Sequence, residues 1–558
     1  MPAHTYKKQF LWPRTRRLCR LQHKNCSDSD SIWLKWWCRL NSKRILNNTV
    51  WYGLENLISI GSSFITSVAI ARELGPSQMG YIIYVIWIAN IASSFGSIGI
   101  PVTTRKYMAE YLGADDRATA RFIYLRTFMV QAMLATIATA VSLLWVLHHA
   151  PPAFRSASVI LLLSIWPAML NFVSAQANVA AEQLSANLPA SLASMLVFLI
   201  VILLAVFRHW GVVGVASAMF CMRFVDFAVR VLPTARTILK WNPENKSIPE
   251  HLYKRMATFA LQSLASMVLT LIVWDRSELF LLKHLSADIR QIAFYSVAFN
   301  LAERLLIFPN VFAGAAGASM FVQHGRDRTR VPVMVAASIR YLTLSSIPLY
   351  AIAIPLAGPA VLFLYGRQYA GAVAVAMAAP LLCLPKAFLA PIQNLFEASE
   401  EQRYFIWATV FASFIDVGIA WALIPHYGAL GACIGSGAAQ TVAIGILWMI
   451  GIKKYQIPVP WRFVQKIVAA SVAASLAAYL ITSHLSAAAG LFTGGITAIV
   501  ACLVLIRVLG VLEREDWERF AVVLGSCPPI MVAPVRGALS LMGLPMQDKA
   551  VPQQEPLI

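Results

Sequence analysis

The sequence predicts an all-α polytopic membrane protein: about 14 transmembrane helices, forming two pseudo-symmetric six-helix bundles plus two C-terminal helices. Three observations carry this. The 558-residue chain is 58% hydrophobic and only 13% charged, with mean hydropathy +0.65, too little charge to cover a soluble domain of this size. Apolar stretches of about twenty residues, each roughly 30 Å long as helix, recur from Val50 to Leu512. One turn is also written twice, as FRHWGVVGVA at 207–216 and IPHYGALGAC at 424–433. Lipid cannot satisfy irregular backbone, so the apolar stretches must be helices.

In chain order, a basic tail (1–47) precedes a first bundle (48–233) with spans near 50–71, 79–101, 122–147, 157–179, 188–207 and 211–233. A linker rich in Pro, Asn and charge (234–253) separates it from a second bundle (254–451). Its spans lie near 254–276, 291–320, 331–356, 371–396, 404–424 and 428–450. Two further spans, 463–484 and 490–511, fall within 452–511, and a tail (512–558) follows. Read with the N-terminus inside, Lys and Arg concentrate in the segments assigned to the cytoplasm, as the positive-inside rule requires. That bias accounts for the net charge of +20 without a nucleic-acid partner. An even number of spans returns the C-terminus to the cytoplasm.

The tail at 1–47 holds 11 Lys and Arg against two Asp, with Trp12, Trp33, Trp36 and Trp37 among them. It lacks the apolar core of a signal peptide, so cleavage is not expected. It reads as a juxtamembrane segment that sets orientation, or as an interfacial helix gripping anionic lipid. The eight Cys are scattered, and Cys19, Cys26 and Cys38 lack zinc-type spacing. No metal, cofactor or disulfide framework is expected.

The duplication reaches beyond the turn. NVAAEQLSANL (178–188) precedes span five and NLFEASEEQRY (394–404) precedes span eleven, while GYIIYVIWIA (80–89) in span two weakly parallels FYSVAFNLAE (294–303) in span eight. Equivalents lie six spans apart, so both copies enter the membrane from the same side. Parallel repeats of this kind are related by an axis along the membrane normal, place a substrate site between the halves and point to alternating access.

Several segments resemble those of a known family. ARELGPSQMGYI (71–82) resembles the turn after span one of bacterial polysaccharide-biosynthesis flippases, and GIPVTTRKYMAEYLGADDRATAR (99–121) their loop after span two. DRSELFLLKHLSADIRQIAFYSVAF (275–299) resembles the start of their second half, and IPHYGALGAC their turn before span twelve. The resemblance covers about residues 50–450 and identifies the multidrug/oligosaccharidyl-lipid/polysaccharide (MOP) exporter superfamily, within it the oligosaccharide-lipid flippases. Lys283 and His284 depart from its more usual apolar or small residues, and the basic tail is longer. The resemblance implies a transporter rather than an enzyme, in a bacterial inner membrane, translocating a polyprenyl-diphosphate-linked oligosaccharide. A polysaccharide polymerase and glycosyltransferases are its implied partners.

A charge at mid-bilayer costs about 2.5–3.5 kcal/mol on insertion scales, so ionisable residues inside spans are functional candidates. Arg223 lies about 18 Å from the outer end of span six; Arg304 and Lys386 reach similar depth in spans eight and ten. These three are the leading substrate-binding candidates, since a guanidinium can hold a diphosphate by bidentate hydrogen bonds. Arg126, one turn inside span three, is a candidate too, although an Arg there can simply snorkel to the interface. Glu55, one turn into span one, is in the same position as a gating or coupling candidate.

Internal pairing is the competing reading. Arg223 and Asp226 are three apart on one helical face, Asp416 in span eleven could neutralise Lys386, and Glu303 adjoins Arg304 but points about 100° away. Asp226, Glu303 and Asp416 thus balance the three bases and join Asp275 as gating or coupling candidates. The resemblance draws attention to Asp275, which could equally form an interfacial ion pair with Arg276, with Glu278 nearby. His209 and His426 read as lone turn histidines. Pro380, Pro385 and Pro391 should bend span ten around Lys386.

Two other functions compete. A drug or metabolite antiporter of the same superfamily would favour acids over bases in the cavity. A membrane polymerase or ligase would need a large external loop with catalytic groups, whereas 148–156 and 357–370 are short. No P-loop, Rossmann, zinc or nucleophile-elbow motif has supporting context.

Overall fold

The computed structural model describes residues 29–512, apart from 182, 184–185, 242–250, 275–276, 308, 311–319, 321–327 and 400. Side chains are described from residue 61, apart from those positions, 62–63, 265–274 and 329. The described residues form helices throughout. The first half comprises α1 (Ser29–Gly96), α2 (Ile100–Gly113), α3 (Arg117–His149), α4 (Arg155–Leu163), α5 (Ile165–Ala180), α6 (Leu188–Phe207) and α7 (Gly211–Leu239). The second half comprises α8 (Leu252–Trp274), α9 (Glu278–Leu285), α10 (Arg290–Arg304), α11 (Val331–Tyr365), α12 (Val373–Cys383), α13 (Leu389–Ala398), α14 (Arg403–Tyr427) and α15 (Ala429–Tyr455). α16 (Trp461–Thr482) and α17 (Ala487–Val508) close the series, pack on each other and lie against α11.

Among the described residues, 11 stretches are long and apolar enough to cross a membrane. The other expected spans, near 50–71, 254–276 and 291–320, fall on residues only partly described; α1 and α8 make the backbone of the first two helical. α1 runs through two expected spans because the turn between them is a single break at Gly75 (φ 68°, ψ 170°) within ARELGPSQMG. A side chain is strained at that φ, and Gly is not. Span eight differs from expectation: α10 stops at Arg304 and a turn at 305–306 follows. Span ten bends as its prolines require, with α12 and α13 separated by a 3₁₀ segment, Leu384–Phe388, that contains Lys386.

Local chemistry sets several ends. Asp116 caps α3, its Oδ1 accepting from the Thr119 amide at 3.0 Å. Pro occupies the first turn of α2, α6 and α11, where its missing N–H has no partner to lose. Gly366 (φ 88°) ends α11.

The duplicated turns have one geometry. Gly211 (φ 55°) opens α7 and Gly428 (φ 53°) precedes α15, both in the left-handed region. Three residues on, a Cβ at Gly214 would lie 2.5 Å from Ala205 Cβ, and one at Gly431 2.6 Å from the Leu423 carbonyl. In each half the first Gly permits the turn and the second lets the two helices of a hairpin touch. The hairpins α6/α7 and α14/α15 are the most extensive helix pairs in the fold. The segments ahead of spans five and eleven also tie back to these hairpins. Asn178 donates to Asn187 at 2.8 Å and accepts from Thr234 of α7 at 3.1 Å, while Glu401 accepts from Lys454 and Tyr455 of α15.

The halves meet along the second leg of α1 and α10, where a Cβ at Gly80 would lie 2.3 Å from the Ile289 carbonyl oxygen. Gly431→Leu should therefore lower stability by about 1–3 kcal/mol through overpacking, whereas Gly418→Ala, in open space within α14, should change it little. Thermal unfolding of the detergent-purified protein measures both; equal melting points would contradict the close-approach account.

Candidate functional site

The mid-span charges assemble differently from the pairing expected. In the first half, Arg230 Nη2 lies 2.7 Å from Asp226 Oδ1, one helical turn along α7, and also donates to Ser191 Oγ of α6 at 3.1 Å. Asn171 of α5 donates to the other Asp226 oxygen at 2.5 Å. Arg230 is only 8% exposed, so the pair is largely desolvated and Asp226 is fully engaged. The expected Arg223–Asp226 pair is thus corrected: Asp226 takes the i,i+4 partner, whose side chain reaches along the same face. Arg223, half-buried, has Asp226 as an electrostatic neighbour. It makes no hydrogen bond or ion pair among the described residues.

Sequence reading passed over Arg230, although an Asp-x-x-x-Arg spacing inside a span is a legible signal. Above it on α5, Ser174 bonds Tyr124 at 2.9 Å and Asn178 bonds Asn187, so one face of span four carries a polar column through the bundle.

The second half holds a separate group. Lys386 Nζ lies 3.6 Å from Glu303 Oε1, with the two side chains 21% and 30% exposed. Lys386 thus pairs with Glu303, at the end of α10, and not with Asp416, the expected partner. Arg304 has Tyr365 of α11 as an electrostatic neighbour. Asp416 is fully buried; Ser277 donates to its Oδ2 at 3.5 Å and its Oδ1 has no hydrogen-bond partner. Glu278, noted from sequence only as a neighbour of Asp275, is 1% exposed, accepts from Tyr295 at 2.9 Å and interacts electrostatically with Asp416.

The structure therefore pairs Asp226 with Arg230, leaving Arg223 only an electrostatic neighbour of that pair, and pairs Glu303 with Lys386. Arg126 is exposed, its guanidinium 5.4 Å from the Phe122 ring, a placement that fits the interfacial alternative. Asp275 and the side chain of Glu55 lie outside the described residues. His209 is not a lone residue: its Nδ1 lies 3.1 Å from Glu73 Oε1. His426 is exposed.

The family-like turn after span one holds a contact between halves. Arg72 donates to the carbonyls of Leu364 and Phe363 at 2.6 Å each, Tyr369 donates to the Ala71 carbonyl at 3.0 Å, and Gln368 bonds the same strand of backbone. The donors are side chains and the acceptors are helix-terminal carbonyls, which otherwise lack partners. At the other end, Arg255 of α8 lies 3.2 Å from both Glu110 oxygens of α2.

Long helices, with charged groups held inside the apolar spans, define a multi-pass helical membrane protein. Residues 45–323, half of the chain, match the model of the polysaccharide biosynthesis protein family, and the chain belongs to that family. Solved structures agree on the fold. A lipid II flippase MurJ in an inward closed conformation matches with TM-score 0.66 and 13% identity, over 83% of this chain and 98% of that one. An inward-facing multidrug resistance MATE transporter of the MOP superfamily matches with TM-score 0.58 and 16% identity, over 71% and 94%. A MOP superfamily transporter from Pyrococcus furiosus, described as having reverse polarity of its binding pocket, matches with TM-score 0.53 and 15% identity, over 74% and 96%. No curated protein matches the chain.

Removing one partner of the buried pair should be costly. Arg230→Ala should destabilise the protein by about 3–5 kcal/mol by leaving Asp226 uncompensated, and Asp226→Asn in the same chain should recover much of the loss. Thermal melts of wild type and the two variants test this; an Arg230→Ala melt equal to wild type would refute the pairing.

Proposed function

We propose that this protein is a flippase that moves a polyprenyl-diphosphate-linked oligosaccharide from the cytoplasmic to the external leaflet of a bacterial inner membrane. Its product would serve exopolysaccharide, capsule or O-antigen synthesis. Both termini are cytoplasmic in this reading, and the six-helix bundles at 48–233 and 254–451 rock against each other in alternating access. A polysaccharide polymerase and glycosyltransferases act beside it.

The observation that carries the proposal is the state of Arg223. Asp226 is occupied by Arg230 and Asn171, so Arg223 keeps its hydrogen-bonding capacity for an anion at mid-membrane depth. A diphosphate suits it, because a guanidinium holds phosphate oxygens bidentately and a dry cavity strengthens the contact. Arg304 and Lys386 are second-half contacts for the same anion. Lys386 would exchange Glu303 for the substrate, with the 3₁₀ turn between α12 and α13 as its hinge. The sugar crosses in the cavity while the lipid tail stays in the bilayer.

Arg72 and its carbonyl partners hold the external side shut until the substrate is bound. With the interior negative, outward movement of an anion gains about 2.3 kcal/mol per charge per 100 mV, so membrane potential alone can drive net export.

The second reading is a cation-coupled drug or metabolite antiporter of the same superfamily. One observation favours it: Asp416 is a buried carboxyl with an unpartnered oxygen beside a second buried acid. Asp416, with Asp275 and Glu55, would then couple transport to an ion.

Deleting the gene decides between them: lipid-linked oligosaccharide should accumulate in the cytoplasmic leaflet. Unchanged glycolipid topology together with altered drug efflux would overturn the flippase reading. Arg223→Ala should abolish export with membrane insertion intact; unchanged export in that variant would remove Arg223 from the site. For the external contact, Arg72→Ala should speed labelling of the buried Ala372→Cys thiol by an impermeant maleimide about fivefold, as expected for losing about 1 kcal/mol of partly exposed hydrogen bonding. An unchanged labelling rate would remove Arg72 from the gate.

A further inference from the structure

A second cationic site lies where α2 meets α8, outside the spans' own charge groups. Lys106, Lys254 and Arg255 line a cavity of about 430 Å³ floored by Tyr107 and Phe259. The floor is built: the two rings stand edge to face at 6.1 Å, and Lys106 Nζ sits 3.8 Å from the Phe259 centroid. The helices beside it approach closely, since a Cβ at Gly99 would lie 2.5 Å from the Ala260 carbonyl oxygen. Among the described residues, no acid lines the cavity. The nearest described one, Glu110, is held by Arg255, with the side chains 44% and 50% exposed. Three cations among the described residues thus face one screened carboxylate.

We propose that this pocket binds the phosphate of an anionic phospholipid on the face that the charge bias assigns to the cytoplasm. Two features select a lipid over a free anion. Lys254, Thr258 and Leu261 fall at i, i+4 and i+7 of α8, on one helical face, and Leu261 is 61% exposed. A phosphate at Lys254 therefore places its acyl chain toward the exposed Leu261 on the same helix. Juxtamembrane cations contribute about 1 kcal/mol each toward anionic lipid, and basic pockets between transmembrane helices suit such headgroups. Binding here has a consequence for the fold: the phosphate competes with Glu110 for Arg255, so the lipid replaces an internal contact between α2 and α8 with one through itself.

The test uses the full-length protein in nanodiscs and native mass spectrometry, and reads lipid retention, which does not depend on the flippase reading. Wild type should retain phosphatidylglycerol over phosphatidylcholine. Lys106→Gln with Lys254→Gln should weaken retention about 5- to 25-fold with Arg255 and Glu110 untouched, and a thermal melt confirms that the variant is folded. Glu110→Gln should tighten retention by removing the competitor. Equal retention of the two lipids, an unaffected double variant or weakened retention in Glu110→Gln each overturns the proposal. So does inorganic phosphate displacing the lipid at equal concentration, which would make this a soluble-anion site.

Discussion

Asp226 can neutralise one guanidinium, and it neutralises Arg230. The rest of the functional account depends on that choice. Inside a bilayer no water screens a charge, so each ionised group needs a partner or becomes one for something else. With Arg230 on one carboxylate oxygen and Asn171 on the other, α5, α6 and α7 are cross-linked through a single acid. The neighbouring Arg223 then keeps its donors available.

The same constraint shapes the fold at larger scale. Backbone groups must be satisfied within each span, so a break in a helix calls for a neighbour to supply the missing partner. The break at Gly75 is covered by Gln368 and Tyr369, and the 3₁₀ turn at Leu384–Phe388 lies against Trp448, which donates to the Phe388 carbonyl at 3.1 Å. Both departures sit where one half meets the other or where a charge is carried. Irregular backbone in these spans coincides with the parts that alternating access would have to move.

Much of the architecture was legible in the sequence. The apolar periodicity, the Gly-x-x-Gly turns and the prolines located most helices, because they act over a few residues and need no tertiary information. Gly211 and Gly428 illustrate this: two Gly at equivalent positions adopt nearly the same φ. The pairing of charges was much less legible. Spacing alone suggested Arg223 for Asp226 and Asp416 for Lys386, yet which carboxylate a cation meets depends on how helices face one another. Arg230 could have been found from its i,i+4 spacing to Asp226. Glu303 as the partner of Lys386 could not, since α10 and the bent span ten are brought together only by the fold. His209 likewise pairs with Glu73 from a distant turn.

The central claim is that Arg223 is held free to bind a diphosphate. The most direct measurement is the dissociation constant of a sugar-free polyprenyl diphosphate for the purified protein and for Arg223→Gln. A charge-assisted contact contributes about 1.5–3 kcal/mol, so the account predicts binding weaker by about 10- to 150-fold in the variant. An unchanged dissociation constant in a variant that melts like wild type would contradict it.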